Sequence, residues 1–198
     1  MPDAGRVIAG TARGIRLRPA GPATRAMGDR VKQTCFGIIQ AATLGPWPTP
    51  FLDVFAGSGA GGLEALSRGA MRAVFLERDR RALDAIRANV EACGFASRAV
   101  ILAGDALSTL AGPPSTAAIA DGLCGAALLD PPYGDATLMA ALERLAEPGS
   151  GWLAEEAVVV AKHFWRDLLA ERVGRLVLAR ERRFGETTLS FYVTEAAP

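Results

Sequence analysis

Apolar and polar positions along this chain follow two alternating periods. Short apolar runs at 51–53, 73–77, 99–105, 126–130 and 157–161 read as buried strands. Between them the repeat lengthens to three and four, which predicts helices over 61–68, 80–93, 106–110 and 136–146. In the second of these, Leu83, Ile86, Val90 and Cys93 share one face. Strands alternating with helices imply an α/β domain with a doubly wound, mostly parallel sheet. Residues 165–172 read as one more helix. Residues 176–184 and 187–193 around Gly185 read as a closing antiparallel hairpin at one sheet edge. Ahead of the first strand, 6–9 and 15–18 flank Gly10 and Gly14 and predict another hairpin. Asp29 is a cap for a helix over 30–42, with Val31, Cys35, Ile38, Ile39 and Ala42 as its expected apolar face.

Charge divides the chain where hydropathy does not. The net charge is +1, yet residues 1–32 carry seven basic side chains and two acids, leaving 15 basic and 19 acidic side chains in the rest. A basic extension, 1–45, therefore precedes a main domain, 46–198, and suits a polyanionic partner. With 198 residues, half of them hydrophobic, the chain fits one domain with a small appendage. No apolar run approaches the roughly 18 residues of a membrane span, and the first residues lack a signal peptide's apolar core. Cys35, Cys93 and Cys124 lie far apart, which argues against a disulfide framework or a zinc site. A cytoplasmic monomer without metal is the expectation.

Four strands end in acids, at Asp53, Glu77, Asp105 and Asp130, so four carboxylates should line one rim of the sheet. After the first strand comes Gly57-x-Gly59-x-x-Gly62, with Glu77 twenty residues beyond Gly57. Glycines there allow a tight turn and close ligand approach, and the acid suits ribose hydroxyls. That pattern fits NAD and S-adenosylmethionine (SAM) enzymes alike. Two features separate them. Asp53 could face the ammonium of a methionine moiety. Asp130-Pro131-Pro132-Tyr133 could hold an amino group. The lone pair of a base's amino nitrogen is delocalised into the ring. Acceptors on its hydrogens, the Asp130 carboxylate and the Pro131 carbonyl, favour the pyramidal geometry that attacks a methyl group. The prolines stiffen the turn, and Tyr133 offers a stacking face.

With these pieces in hand, the chain resembles the RsmD family of bacterial 16S rRNA guanine-N2 methyltransferases, over nearly its whole length. The matching segments are Arg6 to Gly10 with Arg13-Gly14, Asp29 to Thr34, Asp53 to Ala70, Glu77, Asp130 to Tyr133, and the Arg183-Phe184-Gly185 hairpin. The resemblance implies a Rossmann-like domain using SAM. It implies that Asp53, Gly57 and Gly59 line the cofactor pocket, that Glu77 holds the ribose and that Asp105 lies by the adenine. Their chain neighbours Ala56, Arg78 and Ala106 complete the expected set. Asp130, Pro131 and Tyr133 would hold the target amino group. Arg6, Arg13, Arg16, Arg25, Arg30 and Lys32 would grip 16S rRNA or the small ribosomal subunit. The chain departs from the family's usual Arg-Pro-Thr with Arg25-Ala26-Met27, and has Lys162 where many relatives carry an acid. The same tetrapeptide chemistry would serve a DNA adenine or a protein glutamine, and a silent RNA-binding module could keep the fold. His163 reads as a packed or surface residue. Arg180, Arg182 and Arg183 beside Glu181 read as a solvated strand face first and a second RNA contact second.

Overall fold

The apolar runs form strands β1 (Phe51–Val54), β2 (Ala73–Glu77), β3 (Ala99–Ala103), β4 (Cys124–Leu129) and β5 (Leu153–Phe164). They are followed by β6 (Arg172–Val173), β7 (Leu176–Phe184) and β8 (Thr187–Thr194). The computed structural model describes residues 5–21, 27–42, 47, 49–132 and 136–195; the site candidates Arg25 and Tyr133 lie outside them, as does Ala26. Among the described residues the strands make one sheet in the order β3-β2-β1-β4-β5-β8-β7-β6. β1 pairs in parallel with both β2 and β4, so the winding reverses at β1 and a crevice opens beyond the strand ends there. The C-terminal β7–β8 hairpin continues the sheet in antiparallel fashion from β5.

Alternation along the strands sends successive side chains to opposite layers. Leu52, Val54, Val74, Leu76, Ala127, Leu129 and Val159 pack with helices α4 (Ala106–Leu110) and α5 (Thr137–Ala146). Phe51, Ala126, Leu128, Val158 and Val160 pack with α1 (Asp29–Ala42), and Ala73 and Phe75 with α2 (Ala60–Ser67) and α3 (Arg80–Ala92). None of these helices is long and apolar enough to cross a membrane.

Three expectations are corrected. Residues 165–172 are not a helix. The Trp165 N–H donates to the Glu186 carbonyl (3.0 Å), and Leu168 is 95% exposed while Leu169 packs against the core, so the hairpin turn captures the backbone and no helical face forms. Of the expected face of α1, Cys35 and Ile39 are buried and Val31 and Ile38 pack at its margin, but Ala42 is exposed, and Lys32 and Phe36 join the buried set. Lys32 is only 1% exposed, because its ammonium donates to the Arg6 carbonyl. The aliphatic stem fills a helical position while the head satisfies a backbone oxygen. β5 runs for twelve residues, well beyond 157–161, since it has a ladder on each side, to β4 and to β8.

The N-terminal segment turns as expected but pairs sparingly. Its β-bridge joins Arg6 to Arg16, flanked by Val7 N–H to Ile15 carbonyl (3.0 Å) and Gly14 N–H to Val7 carbonyl (2.8 Å). Docking on α2 holds it. The Thr11 N–H donates to the Ser67 carbonyl (2.9 Å), the Ala12 N–H to Ser67 Oγ (2.9 Å), and the Ile8 N–H to Glu64 Oε2 (2.8 Å). Glu64 also takes the Arg68 guanidinium at 2.7 Å, both side chains being buried, and Arg68 reaches on to Gln40 of α1 (2.8 Å). A second tie is Asn89 of α3, which accepts from the Arg18 N–H (2.7 Å) and donates to the carbonyls of Arg18 (3.0 Å) and Ser58 (2.9 Å).

Gly10 is where this docking is tightest. It has φ +80, and a Cβ there would stand 1.8 Å from the Ser67 carbonyl oxygen, a backbone atom that cannot step aside. Gly10→Ala should lose about 1–2 kcal/mol from the left-handed backbone alone, with the clash added, and lower Tm by at least about 2 °C. Hydrogen exchange should show faster exchange at Thr11 and Ala12; unchanged protection there would mean the turn docks by other contacts.

Candidate active site

The glycine loop is strained by design of its backbone rather than its side chains. Phe55 (φ +64), Gly57 (φ +56) and Gly59 (φ +80) all adopt the left-handed region. Phe55 is the non-glycine among them, and such a residue costs on the order of 1–2 kcal/mol; strain of this kind gathers at functional loops. Its compensation is visible. The Ala56 N–H donates to the Leu76 carbonyl (3.0 Å), the Gly59 N–H to the Ala56 carbonyl (2.7 Å), and the Gly57 N–H to Glu77 Oε2 (2.8 Å). Gly62 performs the third glycine's task, close packing, since a Cβ on it would stand 2.3 Å from the Phe75 ring.

The rim acids differ in what they do. Glu77, half-buried, accepts backbone N–H groups from Gly57, Arg78 (2.7 Å) and Asp79 (2.8 Å). Asp105 caps α4, accepting from the Ser108 N–H (3.0 Å) and hydroxyl (3.1 Å), and these bonds hold its carboxyl below the usual range. Arg78 faces it from the neighbouring strand end at 3.5 Å, and Ala106 follows it, buried in the first turn of α4. Asp53 is the correction. The sequence sends it toward a ligand's ammonium, but it is 2% exposed and accepts the Gly62 N–H (2.7 Å) beneath the first turn of α2. Strand alternation turns it under the helix, where it meets the helix's orphan N–H groups.

Asp130 stands one residue past β4, with its N–H donating to the Val54 carbonyl of β1 (3.3 Å). Sequence reasoning left Lys162 without a role, and the structure supplies one: its ammonium binds Asp130 Oδ1. The two occupy equivalent places on β4 and β5, just beyond the Leu129–Ala161 pair. Each follows an apolar run, which is the only signal the sequence holds; that the two strands are neighbours is not written in it. Burial raises the Asp130 pKa, and Lys162 pulls it back. Oδ2 has no partner among the described residues. Pro131 beside it is buried and Pro132 is exposed. His163 is not at hand for proton transfer here: its Nε2 contacts Ser190 Oγ (2.8 Å) and its Nδ1 the Phe164 carbonyl (2.9 Å).

Of the expected RNA-gripping residues, Arg6, Arg13, Arg16 and Arg30 are exposed. Arg6, Arg13 and Arg30 border one cleft of about 330 Å³ between the N-terminal turn and α1, where Arg6 pairs with Asp29 at 2.9 Å. Lys32 drops out of this exposed set, being committed to the interior.

Comparison with known proteins is decisive about family. The family described as Conserved hypothetical protein 95 matches residues 5–193. The chain belongs to the RsmD family. It is 32% identical to Ribosomal RNA small subunit methyltransferase D of Escherichia coli K12 over 194 residues, covering 96% of this chain and 90% of that one. It is 35% identical to YlbH of Bacillus subtilis over 190 residues, 94% and 97% of the two chains. Among solved structures, Escherichia coli yhhF superposes with a TM-score of 0.79 at 31% identity, over 97% of this chain and 98% of that one. The fold of this RsmD-family chain is thus the Rossmann-like methyltransferase fold.

Buried Asp53 makes a pH prediction. Burial pushes its pKa up to about 8 from 3.8, against the Gly62 hydrogen bond, and the Asp130 and Glu77 carboxylates push it the same way. The folded state therefore keeps a proton that the unfolded chain releases, so this group's contribution to stability declines as pH rises from about 4 to about 8. Asp53→Asn retains an acceptor for the Gly62 N–H and should flatten that decline in urea titrations at pH 5 to 8. An identical pH slope in variant and parent would show that Asp53 is ionised in the fold.

Proposed function

We propose that this protein transfers a methyl group from SAM to the exocyclic N2 of a guanine in 16S rRNA of the small ribosomal subunit. The observation that carries the reading is the adjacency of β1 and β4, which sets the glycine loop beside Asp130 and Pro131. Family membership, and a relative named as an rRNA small subunit methyltransferase, support the substrate.

The residues fit this cofactor. The Glu77 and Asp130 carboxylates act together around the loop, both raising the Asp53 pKa, and a negative field there suits a ligand with ammonium and sulfonium charges. Glu77 has roughly four lone-pair positions, three used by N–H groups, so a ribose hydroxyl can donate to what remains. Gly57, Gly59 and Ala56 would line the loop side, and Arg78, Asp105 and Ala106 the adenine side. Asp53 would act through the loop by anchoring α2. SAM, when bound, supplies an electrophilic methyl group at its sulfonium.

This chain's own contribution is to hold and tune the amine. Asp130 Oδ2 and the Pro131 carbonyl accept the two amino hydrogens, which draws the nitrogen toward pyramidal geometry and directs its lone pair across the crevice. Lys162 opposes the rise that burial gives the Asp130 pKa and so favours the ionised form, which accepts rather than donates. Tyr133 would stack on the unstacked base. The proton lost from the product amine passes to water, so no general base is required. Residues 1–45 form the RNA-gripping extension, with Arg6, Arg13, Arg16, Arg25 and Arg30 toward phosphate, on residues 46–198 as the methyltransferase domain. The protein would work as a cytoplasmic monomer.

Asp130→Ala should reduce methyl transfer to undermethylated small subunits by at least about a hundredfold, with SAM affinity by calorimetry nearly unchanged. Full activity in that variant would remove Asp130 from the chemistry. Glu77→Ala should weaken SAM binding by roughly tenfold to a hundredfold, the loss of hydrogen bonds to a charged acceptor. Labelled-methyl assays run in parallel on small subunits, duplex DNA and a release factor test the substrate class. Incorporation confined to DNA or protein would overturn the rRNA reading.

A further inference from the structure

The chain carries a second group of cations at its other end. Arg180, Arg182 and Arg183 of β7 and Arg166 after β5 are all exposed, and among the described residues none has an ion-pair partner. The acid between them, Glu181, also at the surface, accepts a hydrogen bond from the Ser190 hydroxyl (2.6 Å). Two further acids, Asp167 and Glu186, are exposed nearby, so the patch is cationic without being uniformly so.

Topology brings this patch to the catalytic rim. β5 and β7 are both antiparallel to β8, so β7 ends on the same side of the sheet as β4 and β5. In the order β4-β5-β8-β7 it stands three strand spacings from β4. At about 4.8 Å each, that is about 14 Å across the sheet. Cross-strand pairing sets Arg180 opposite Phe191 and Arg182 opposite Leu189, and both apolar partners belong to the cluster under α1. Arg180 and Arg182 therefore share a sheet face with α1, whose first turn bears exposed Arg30.

One part of the patch is preorganised. The Arg183 guanidinium lies 3.9 Å from the centre of the Trp165 ring and Arg166 lies 4.8 Å from it. Arg183 Nε also donates to the Gly185 carbonyl (2.9 Å). An arginine held flat on an aromatic ring keeps most of its donors outward and has less ordering left to undergo when a phosphate arrives.

Resting on the rRNA methyltransferase reading above, we propose that the tip of the C-terminal hairpin, through Arg180, Arg182, Arg183 and Arg166, binds the phosphate backbone of the same RNA a few nucleotides from the target guanine. RNA then crosses the strand ends with this hairpin as a cationic support beside the place, at Asp130, where the base enters. The patch recognises phosphate, not sequence, so its signature is salt-dependent affinity.

The test uses the full chain and small subunits from cells lacking the modification. Arg180→Gln/Arg182→Gln leaves Trp165 and the hairpin turn intact. It should raise KM for subunits on the order of tenfold and make the dependence of log KM on log salt shallower by about 1–2. The kcat at saturating subunit, SAM affinity and Tm should stay at parental values, which a merely structural role would not produce. A second variant, Arg166→Gln, should move KM and salt slope in the same direction. If the parent methylates subunits and both variants match its KM and salt slope, the hairpin contact is wrong and the function stands. If the parent methylates no subunit RNA, the function reading fails and the contact fails with it.

Discussion

The first turn of α2 is the joint on which the structure depends. Gly61 and Gly62 bring that turn so close to the sheet that a Cβ at Gly61 would stand 2.9 Å from Asp53 Oδ1 and one at Gly62 would enter the Phe75 ring. This approach lets the Asp53 carboxylate reach the Gly62 N–H at 2.7 Å from a fully buried strand. A charge in such a place is costly, so burial pushes the Asp53 pKa up to about 8, while its oxygen still accepts from the helix's N-terminal N–H. Everything functional hangs from the helix so fixed. Its amino end closes the glycine loop, its middle holds the Ile8 N–H through Glu64, and its last turn holds Thr11 and Ala12 through Ser67.

The rim shows how one set of like charges can do different work. Asp53 anchors from beneath, Glu77 gathers three backbone N–H groups at the loop's edge, Asp105 caps a helix, and Asp130 is paired with Lys162. Their mutual repulsion is relieved because the buried Asp53 carboxyl tends to keep its proton and the others have donors of their own. The uneven burial goes with the differing contacts: the most enclosed carboxyl anchors a helix, and Asp130, less enclosed, has one oxygen without a partner among the described residues. Lys162 is the compensation that opposes the effect of burial on Asp130 in a partly desolvated turn.

Much of this was legible beforehand. The strand–loop–helix grammar of 51–68, the acids at or just past the ends of β2, β3 and β4 and the hairpin around Gly185 all depend on local pattern, and all stand in the structure. The misreadings share one cause. Residues 165–172 have helical apolar spacing, yet the hairpin turn offers their backbone a better partner. Lys32 looks like a surface cation in an amphipathic helix, yet the Arg6 carbonyl, 26 residues away, takes its ammonium inside. Asp53 has the type and position of a ligand-facing acid, and only the closeness of α2 turns it into an anchor. Asn89, a polar break in the apolar face of α3, gave a faint sign of the tie between Arg18 and Ser58.

By itself the sequence determined the period of each element, the glycines where the chain must bend left or lie close, and which residue types end each strand. These are properties of single segments, governed by φ/ψ limits and side-chain alternation. Tertiary structure alone decided which acid meets which cation and which arginines remain at the surface. Those outcomes turn on strand order and helix rotation, and they are settled when distant groups compete for the same buried donors and acceptors.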